Sequence, residues 1–400
     1  VRYFTPNRRT HKEFADVLAE AAETGVQVIA KDCFVTEDSI AIADEVPVVL
    51  TNPQLYEAPE LLVEWYRERK RDLPWRHHVN AYRVWVSEIM LQQTRVEAVK
   101  EYYRTFLQEL PTIEALAEVD DDRLMKLWEG LGYYNRARNL KKAAGEVVIE
   151  WQGNFPAEYD EILSLPGIGE YTAGAIGSIC FDLPTPAVDG NVLRVYTRVM
   201  EDPSNIDKQA VKKKIREELL QVYRYGHCDM LTQSLMEVGA TICLPNGAPK
   251  CEVCPLQELC KAHKHDSWQQ YPVREAKKKR KVEEKAVLML RYEDKVAIRK
   301  RTEKGLLHGL WEFPNLPGSY STQEILSYVT SKNLHPKEIW METTYTHIFS
   351  HVEWHMKAFY MECMEQQAKD LRWVTLEELK QEIAIPSAFA PFKDLLNSGA

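Results

Sequence analysis

The sequence predicts a multi-domain chain: a mainly helical central region, an α+β region after it, and a short α/β piece in front. Three observations predict this. At 400 residues the chain exceeds one compact core, and a prior of about 100–200 residues per domain gives two or three. From Glu60 to about His263 the apolar spacing is helical almost throughout, whereas after Glu284 strand-like runs alternate with helical ones. Between the two lies a basic tract, Arg274 and Lys277 to Lys281 with Arg280 among them, which reads as a solvated linker (264–283) more readily than as a DNA contact.

Composition narrows the class. A hydrophobic share of 45% with 28% charged residues is ordinary for a soluble globular protein. The first residues, VRYFTPNRRTHKEF, hold no apolar signal core. No apolar run approaches the ~18 residues that a membrane span needs, so no membrane partner is expected and the expected compartment is the cytoplasm. A net charge of −9 weighs mildly against a nucleic-acid partner; DNA, however, meets one face and not the average. Of eight cysteines, Cys33, Cys180, Cys228 and Cys363 are scattered and read as buried free thiols, while four cluster between 243 and 260.

In chain order, residues 1–50 show a helical pattern over Glu13–Glu23, an apolar run Val26–Ala30, and β-rich stretches at Cys33–Val35 and Val46–Leu50. Residues 51–57 read as a linker, with a new start at Ala58. Helical patterns follow over Tyr82–Leu107, Asp121–Trp128, Asn135–Trp151, Glu158–Leu165 and Glu170–Phe181, punctuated by Gly and Pro. Beyond the basic tract, Lys285–Arg299 reads as two strands around a turn near Glu293–Asp294. Further strands are predicted near Ile339–Tyr345 and Val352–Met361, with helices at Thr322–Lys332, Thr375–Ile383 and Phe389–Leu396.

Four motifs carry chemistry. LPGIG, Leu165–Gly169, lies between two helical patterns. Its glycines, Gly167 and Gly169, tolerate positive φ, and the next helix opens with free N–H groups that suit a phosphate oxygen. This is a helix–hairpin–helix grip on a DNA backbone, or simply a turn. In VDGNVLRV, Val188–Val195, Asp189 falls where a helix begins after Pro184 and Pro186. Helix dipole and N–H groups would keep it ionised; a plain cap is the alternative, and the hairpin upstream favours function. In WVSEIMLQQTRVEAV, Glu88 sits among Val86, Ile89, Met90 and Leu91 on a helix. Desolvation there would keep it protonated and able to act as a general acid, although most helical glutamates are merely exposed. Finally, Cys243, Cys251, Cys254 and Cys260 point to metal in preference to disulfides, with zinc and a [4Fe-4S] cluster both reasonable.

LPGIGEYTAGAI followed by AVDGNVLRV resembles the helix–hairpin–helix glycosylase superfamily. Where its bifunctional branch carries a nucleophilic Lys, this chain has Tyr171, and a phenol cannot form a Schiff base. The match, over residues 58–398, is to the monofunctional adenine DNA glycosylases of the MutY type. The resemblance implies an enzyme of base-excision repair that acts, as a monomer, on double-stranded DNA holding adenine opposite 8-oxoguanine or guanine. Glu88 would protonate the leaving adenine, Asp189 would stabilise the sugar cation, and Asn191 would orient Asp189. Trp75 and Arg76 would line the flipped adenine's pocket, with Gln233 at its edge; Thr232 replaces the family's Asn beside it. Leu91, Gln92, Gln93 and Thr94 would border the vacated duplex space, and Tyr133 would wedge beside the oxidised guanine. The cluster implied is [4Fe-4S] on the four cysteines, with seven residues between Cys243 and Cys251 where the family has six. Residues 58–263 would form the catalytic and cluster-binding domain.

LLHGLWEFPNL, Leu306–Leu316, resembles the Nudix-like recognition domain of the same enzymes, here 284–400, with Phe349, Ser350 and His351 as readers of 8-oxoguanine. No acidic Nudix helix follows Gly318, so pyrophosphohydrolase activity is not expected. Residues 1–50 resemble the C-terminal end of the sugar fermentation stimulation (SfsA) family and receive no catalytic role. A catalytically silent DNA-binding or iron–sulfur redox module is the rival reading; retention of both Glu88 and Asp189 argues against it.

Overall fold

The structure is a computed structural model. It describes residues 3–4, 29–30, 54–223, 227–276, 279–366, 368 and 370–398. The helix and strands expected within residues 1–50, apart from two short strands, lie outside the described residues, as do Lys277 and Lys278 of the basic tract. The two strands, β1 (Tyr3–Phe4) and β2 (Ile29–Ala30), pair in parallel.

The chain forms two compact units, one of residues 1–71 and 177–274, the other of 72–176 and 275–400. The first unit is helical. It holds α1 (Gln54–Arg69) and, from the later segment, α9 (Gly190–Met200), α10 (Gln209–Val222), α11 (Cys228–Thr241) and α12 (Lys261–Lys264). Leu62, Val192, Val195, Ile215, Leu219, Leu231, Val238 and Leu256 form its core, with Cys243, Cys254 and Cys260 packed against it. Helix α1 starts at Gln54, inside the stretch read as a linker, and carries Pro59 within it. A proline there removes one backbone bond, that to the Leu55 carbonyl. Burial of Ala58, Leu62 and Val63 outweighs that loss.

The second unit joins helices to a sheet. Its helices are α2 (Ala81–Leu91), α3 (Val96–Glu109), α4 (Ile113–Glu118), α5 (Asp121–Leu127), α6 (Asn135–Trp151) and α7 (Tyr159–Ser164). The chain passes between units within α8 (Glu170–Phe181). The pattern read as one helix over Tyr82–Leu107 is two, because the backbone turns left-handed at Gln93 (φ 60°). The cause is distant in sequence: the Arg136 guanidinium donates to the Ile89, Met90 and Gln92 carbonyls at 2.6, 3.2 and 2.6 Å. These are the carbonyls that the end of α2 leaves unsatisfied.

The sheet is built from β3 (Lys281–Tyr292), β4 (Lys295–Lys300), β5 (Trp311–Glu312), β6 (Asn315–Pro317), β7 (Pro336–Ile348), β8 (Val352–Cys363) and β9 (Arg372–Thr375). Its order is β5-β4-β3-β8-β7, with β6 on β3 and β9 on β4. Strands β3 and β8 run parallel, in register Lys285↔Met356 and Val287↔Ala358; the other pairs are antiparallel. Residues 285–290 of β3 are all buried, as a strand covered on both faces requires. Ala286, Leu288 and Leu290 meet Ile325 and Val329 of α13 (Thr322–Ser331). Val287 and Met289 meet Leu379 of α14 (Leu376–Gln381) and Phe392 of α15 (Ala390–Ser398). No helix among the described residues is long and apolar enough to cross a membrane.

Candidate active site

In the second unit, Glu88 lies on α2 with 6% of its surface exposed. Its neighbours Val86, Ile89 and Met90 are buried. The Tyr171 phenol, in the first turn of α8, donates to Glu88 Oε2 at 2.5 Å. Gln92 Nε2 donates to Thr172 Oγ1 at 3.3 Å, tying the end of α2 to the same helix. The hairpin before α8 turns left-handed at Gly167 but not at Gly169. Gly167 has φ +78°, and a Cβ there would lie 2.6 Å from Asn139 Cβ, so no other residue fits. Gly169 meets nothing within 4 Å.

A cavity of about 710 Å³ in this unit brings together Gln92, Tyr133, Gly167, Phe349, Ser350 and His351. The Tyr133 side chain is 53% exposed and its hydroxyl bonds to that of Ser350. Glu88, Tyr171, Trp75 and Arg76 are not on the cavity's lining. Trp75 is buried edge-to-face against Tyr103, ring centroids 5.7 Å apart. Arg76 and Leu91 are partly buried, Gln93 exposed and Thr94 partly buried. Arg136, Arg138 and the 306–308 loop also line the cavity and were assigned no site role from sequence. The signal for the arginines was the pair Arg136 and Arg138, just past the Tyr133–Tyr134 aromatics that follow the Gly130–Gly132 turn.

In the first unit, Asp189 caps α9. Its Oδ1 accepts from Val192 N, and its Oδ2 from Asn191 Nδ2, both at 2.8 Å. Asn191 Oδ1 accepts in turn from Arg194 Nη2 at 2.8 Å. Arg194 is 6% exposed and also donates to the Cys243 and Gly239 carbonyls at 2.7 and 2.8 Å. The Asp189 pKa is raised. Burial is the largest cause, opposed by the Val192 and Asn191 hydrogen bonds and by the Arg194 charge. A cap on a solvated helix end favours the anion; this carboxyl is only partly accessible, and loss of water dominates.

Gln233 on α11 is partly buried and accepts from the Tyr66 hydroxyl at 2.9 Å. Thr232 is fully buried: it shares a bond with the Tyr223 hydroxyl at 2.8 Å and donates to Ser178 Oγ at 2.7 Å. Thr232 therefore faces the core, and its bonding groups are satisfied there.

The four clustered cysteines surround one cavity of about 30 Å³, shared with Val195, Ile242, Leu256 and Trp268. Arg198 Nη1 donates to Cys243 Sγ at 3.3 Å. Burial pushes the Cys254 and Cys260 thiols up to about 12 and about 11, so thiolates there need a cation to offset the lost hydration. Among the described residues, no group of three or more His, Cys, Asp or Glu side chains is placed to hold a metal ion. The sulfurs line a cavity instead. Half-buried thiols around an apolar hollow, with a buried arginine beside them, fit an anionic iron–sulfur group.

The helix–hairpin–helix of α7 and α8 lies within a domain of the base-excision DNA repair class. Residues 86–221 match the family model of the HhH-GPD superfamily base excision DNA repair protein, and residues 286–395 that of the NUDIX domain. An adenine DNA glycosylase of Buchnera aphidicola (subsp. Schizaphis graminum) is 34% identical over 304 residues, 76% of this chain and 86% of the relative. One from Schizosaccharomyces pombe is 32% identical over 80% of this chain and 85% of its own. The solved structure of a thermostable thymine-DNA glycosylase matches 53% of this chain and 97% of its own, with 28% identity and a TM-score of 0.48. The chain belongs to the adenine DNA glycosylase family.

Proposed function

We propose that this enzyme removes adenine from opposite 8-oxoguanine, or guanine, in duplex DNA by hydrolysis alone, without strand cleavage. The observation that carries this is the Tyr171–Glu88 hydrogen bond. It puts a phenol where a bifunctional enzyme would hold an amine, and ties it to the buried carboxyl instead. Glu88 gives a proton to a ring nitrogen of adenine as the bond from the base to C1′ breaks and its electron pair leaves with the base. Asp189, held by Val192 and Asn191, stabilises the positive charge left on the sugar; water adds at C1′ to give an abasic site and gives up a proton, which restores the Glu88 acid. The test is a duplex with one adenine opposite 8-oxoguanine, analysed with and without alkali. Strand breaks only after alkali are expected. Breaks without alkali would restore a lyase, and intact strands under both conditions would leave a DNA-binding module.

The remaining assignments support one recognition scheme. Gly167 and Gly169 present the hairpin to a DNA phosphate; the open space around Gly169 suits a close approach. Leu91, Gln92, Gln93, Thr94 and Tyr133 enter or border the duplex. Trp75, Arg76 and Gln233 receive adenine, and Phe349, Ser350 and His351 read the opposite base. The catalytic and cluster-binding segment takes in α1 from Gln54 and runs to about 263, and the recognition domain spans 284–400. The protein works as a monomer.

Cys243, Cys251, Cys254 and Cys260 hold a [4Fe-4S] cluster. The four cysteines line one cavity, and the buried Arg198 beside Cys243 suits an anionic four-thiolate group. When bound, the cluster supplies a four-thiolate cross-link; Arg194 and Arg198 then join that loop to α9 through the Cys243 carbonyl and sulfur. Cys254→Ser is expected to purify without iron or acid-labile sulfide and to unfold at lower temperature. Zinc in the wild-type protein in place of iron would sink the assignment.

The Asn191 bond opposes the burial of Asp189. Asn191→Ala should therefore raise the Asp189 pKa further, because removing a hydrogen bond to the anion favours the acid. The acid limb of the excision pH profile is expected to move to higher pH. An unmoved limb would mean that Asp189 does not govern it.

A further inference from the structure

The sheet of the second unit buries more charge than the chemistry above uses. Glu312 on β5 is 1% exposed and pairs with Arg299 at 2.7 Å and Arg301 at 3.1 Å. A buried ion group of this kind is weak evidence for stability, since desolvation offsets much of the attraction. Its definite effect is on geometry: it holds the Arg301 guanidinium in one orientation.

Held this way, Arg301 meets one cavity loop directly and the other through Trp354. Arg301 Nε donates to the Leu306 carbonyl at 2.9 Å, and its backbone carbonyl accepts from Gly309 N at 2.7 Å. Its guanidinium also lies 5.6 Å from the ring of Trp354, which Lys285 Nζ approaches at 4.4 Å. Trp354 is 1% exposed and donates through Nε1 to Glu283 at 3.1 Å. Phe349 packs edge-on against that ring, centroids 4.9 Å apart, and opens the turn closed by Phe349 N donating to the Val352 carbonyl at 2.9 Å. The 306–308 loop and the 349–351 turn both line the 710 Å³ cavity.

We propose that Arg301 is a positioning residue that sets the spacing of these two loops, and through it the preference for 8-oxoguanine over guanine opposite the excised adenine. This rests on reading Ser350 and His351 as contacts to the opposite base. The two bases differ at C8 and N7, so discrimination depends on polar contacts whose strength falls off within a few tenths of an ångström. Arg301→Lys keeps the charge beside Glu312 but cannot hold the Leu306 carbonyl and cover the Trp354 face together. Trp354→Phe asks the same question from the other side: it leaves the Glu312 ion pairs in place but loses the Nε1 bond to Glu283 and part of the ring face against Arg301 and Lys285.

The test measures single-turnover adenine removal opposite 8-oxoguanine and opposite guanine for both variants and for Ser350→Ala/His351→Ala. Either single variant is expected to lower the ratio of the two rates about tenfold, the loss of about one or two polar contacts. The rate opposite guanine should stay within about twofold of wild type. Equal falls on both substrates would show a general structural role and overturn the proposal. So would an unchanged ratio in Arg301→Lys and Trp354→Phe while the double variant lowers it. A ratio unmoved by the double variant would remove the loop reading itself, and the proposal with it.

Discussion

Glu88→Gln is expected to lose adenine excision by about 10³-fold, inside the range of general acid catalysis, while binding the same duplex as tightly as wild type. Glutamine matches the length and volume of glutamate, so the buried site on α2 stays filled. Its amide oxygen can still accept from the Tyr171 hydroxyl, which now donates to Glu88 Oε2 at 2.5 Å. What it cannot do is deliver a proton as the adenine leaves. Single-turnover excision and an electrophoretic binding titration, run on one duplex, separate the two properties. Excision within tenfold of wild type would remove Glu88 from the chemistry. Loss of binding along with excision would make it a structural residue.

Asp189→Asn should lose about 10²- to 10³-fold in excision, the scale of one lost electrostatic contact in a transition state, yet gain or hold thermal stability near neutral pH. The sign of the stability change follows from the raised pKa. A carboxyl whose pKa rises on folding contributes most below its unfolded value, and that contribution is lost as pH climbs through the folded one. At neutral pH the buried Asp189 anion therefore costs stability, its desolvation exceeding what Val192 N, Asn191 and Arg194 return. Asparagine removes the charge and remains as good a cap for α9. A structural cap predicts little change in either property; a catalytic anion predicts that activity falls while the melting temperature does not. A fall in melting temperature with unchanged excision would refute the catalytic assignment.

Much of the candidate site could be read locally. Gly167 needs its left-handed conformation within five residues of sequence, and Asp189 finds the Val192 N–H three residues on. Tyr171 is identified by its place after the hairpin, and the four cysteines by their spacing. The helix Asn135–Trp151 and the turn between β3 and β4 likewise follow from periodicity and from residues inside the turn. What was missed depends on partners far along the chain. Arg136 ends α2 from more than forty residues away, and burial, which local pattern does not show, is the largest cause of the raised Asp189 pKa.

Sequence alone determined the chemical inventory of this protein: the carboxyls, the phenol, the thiols and the glycine hairpin, because each is set by residue type and short spacing. Tertiary structure alone decided how that inventory is tuned. It turned Thr232 into the core, put the Tyr133 hydroxyl on Ser350, and tied the Leu306 carbonyl to the Arg301 guanidinium. The reason is physical: desolvation and long-range hydrogen bonds depend on which surfaces meet after folding, and local pattern carries no record of that.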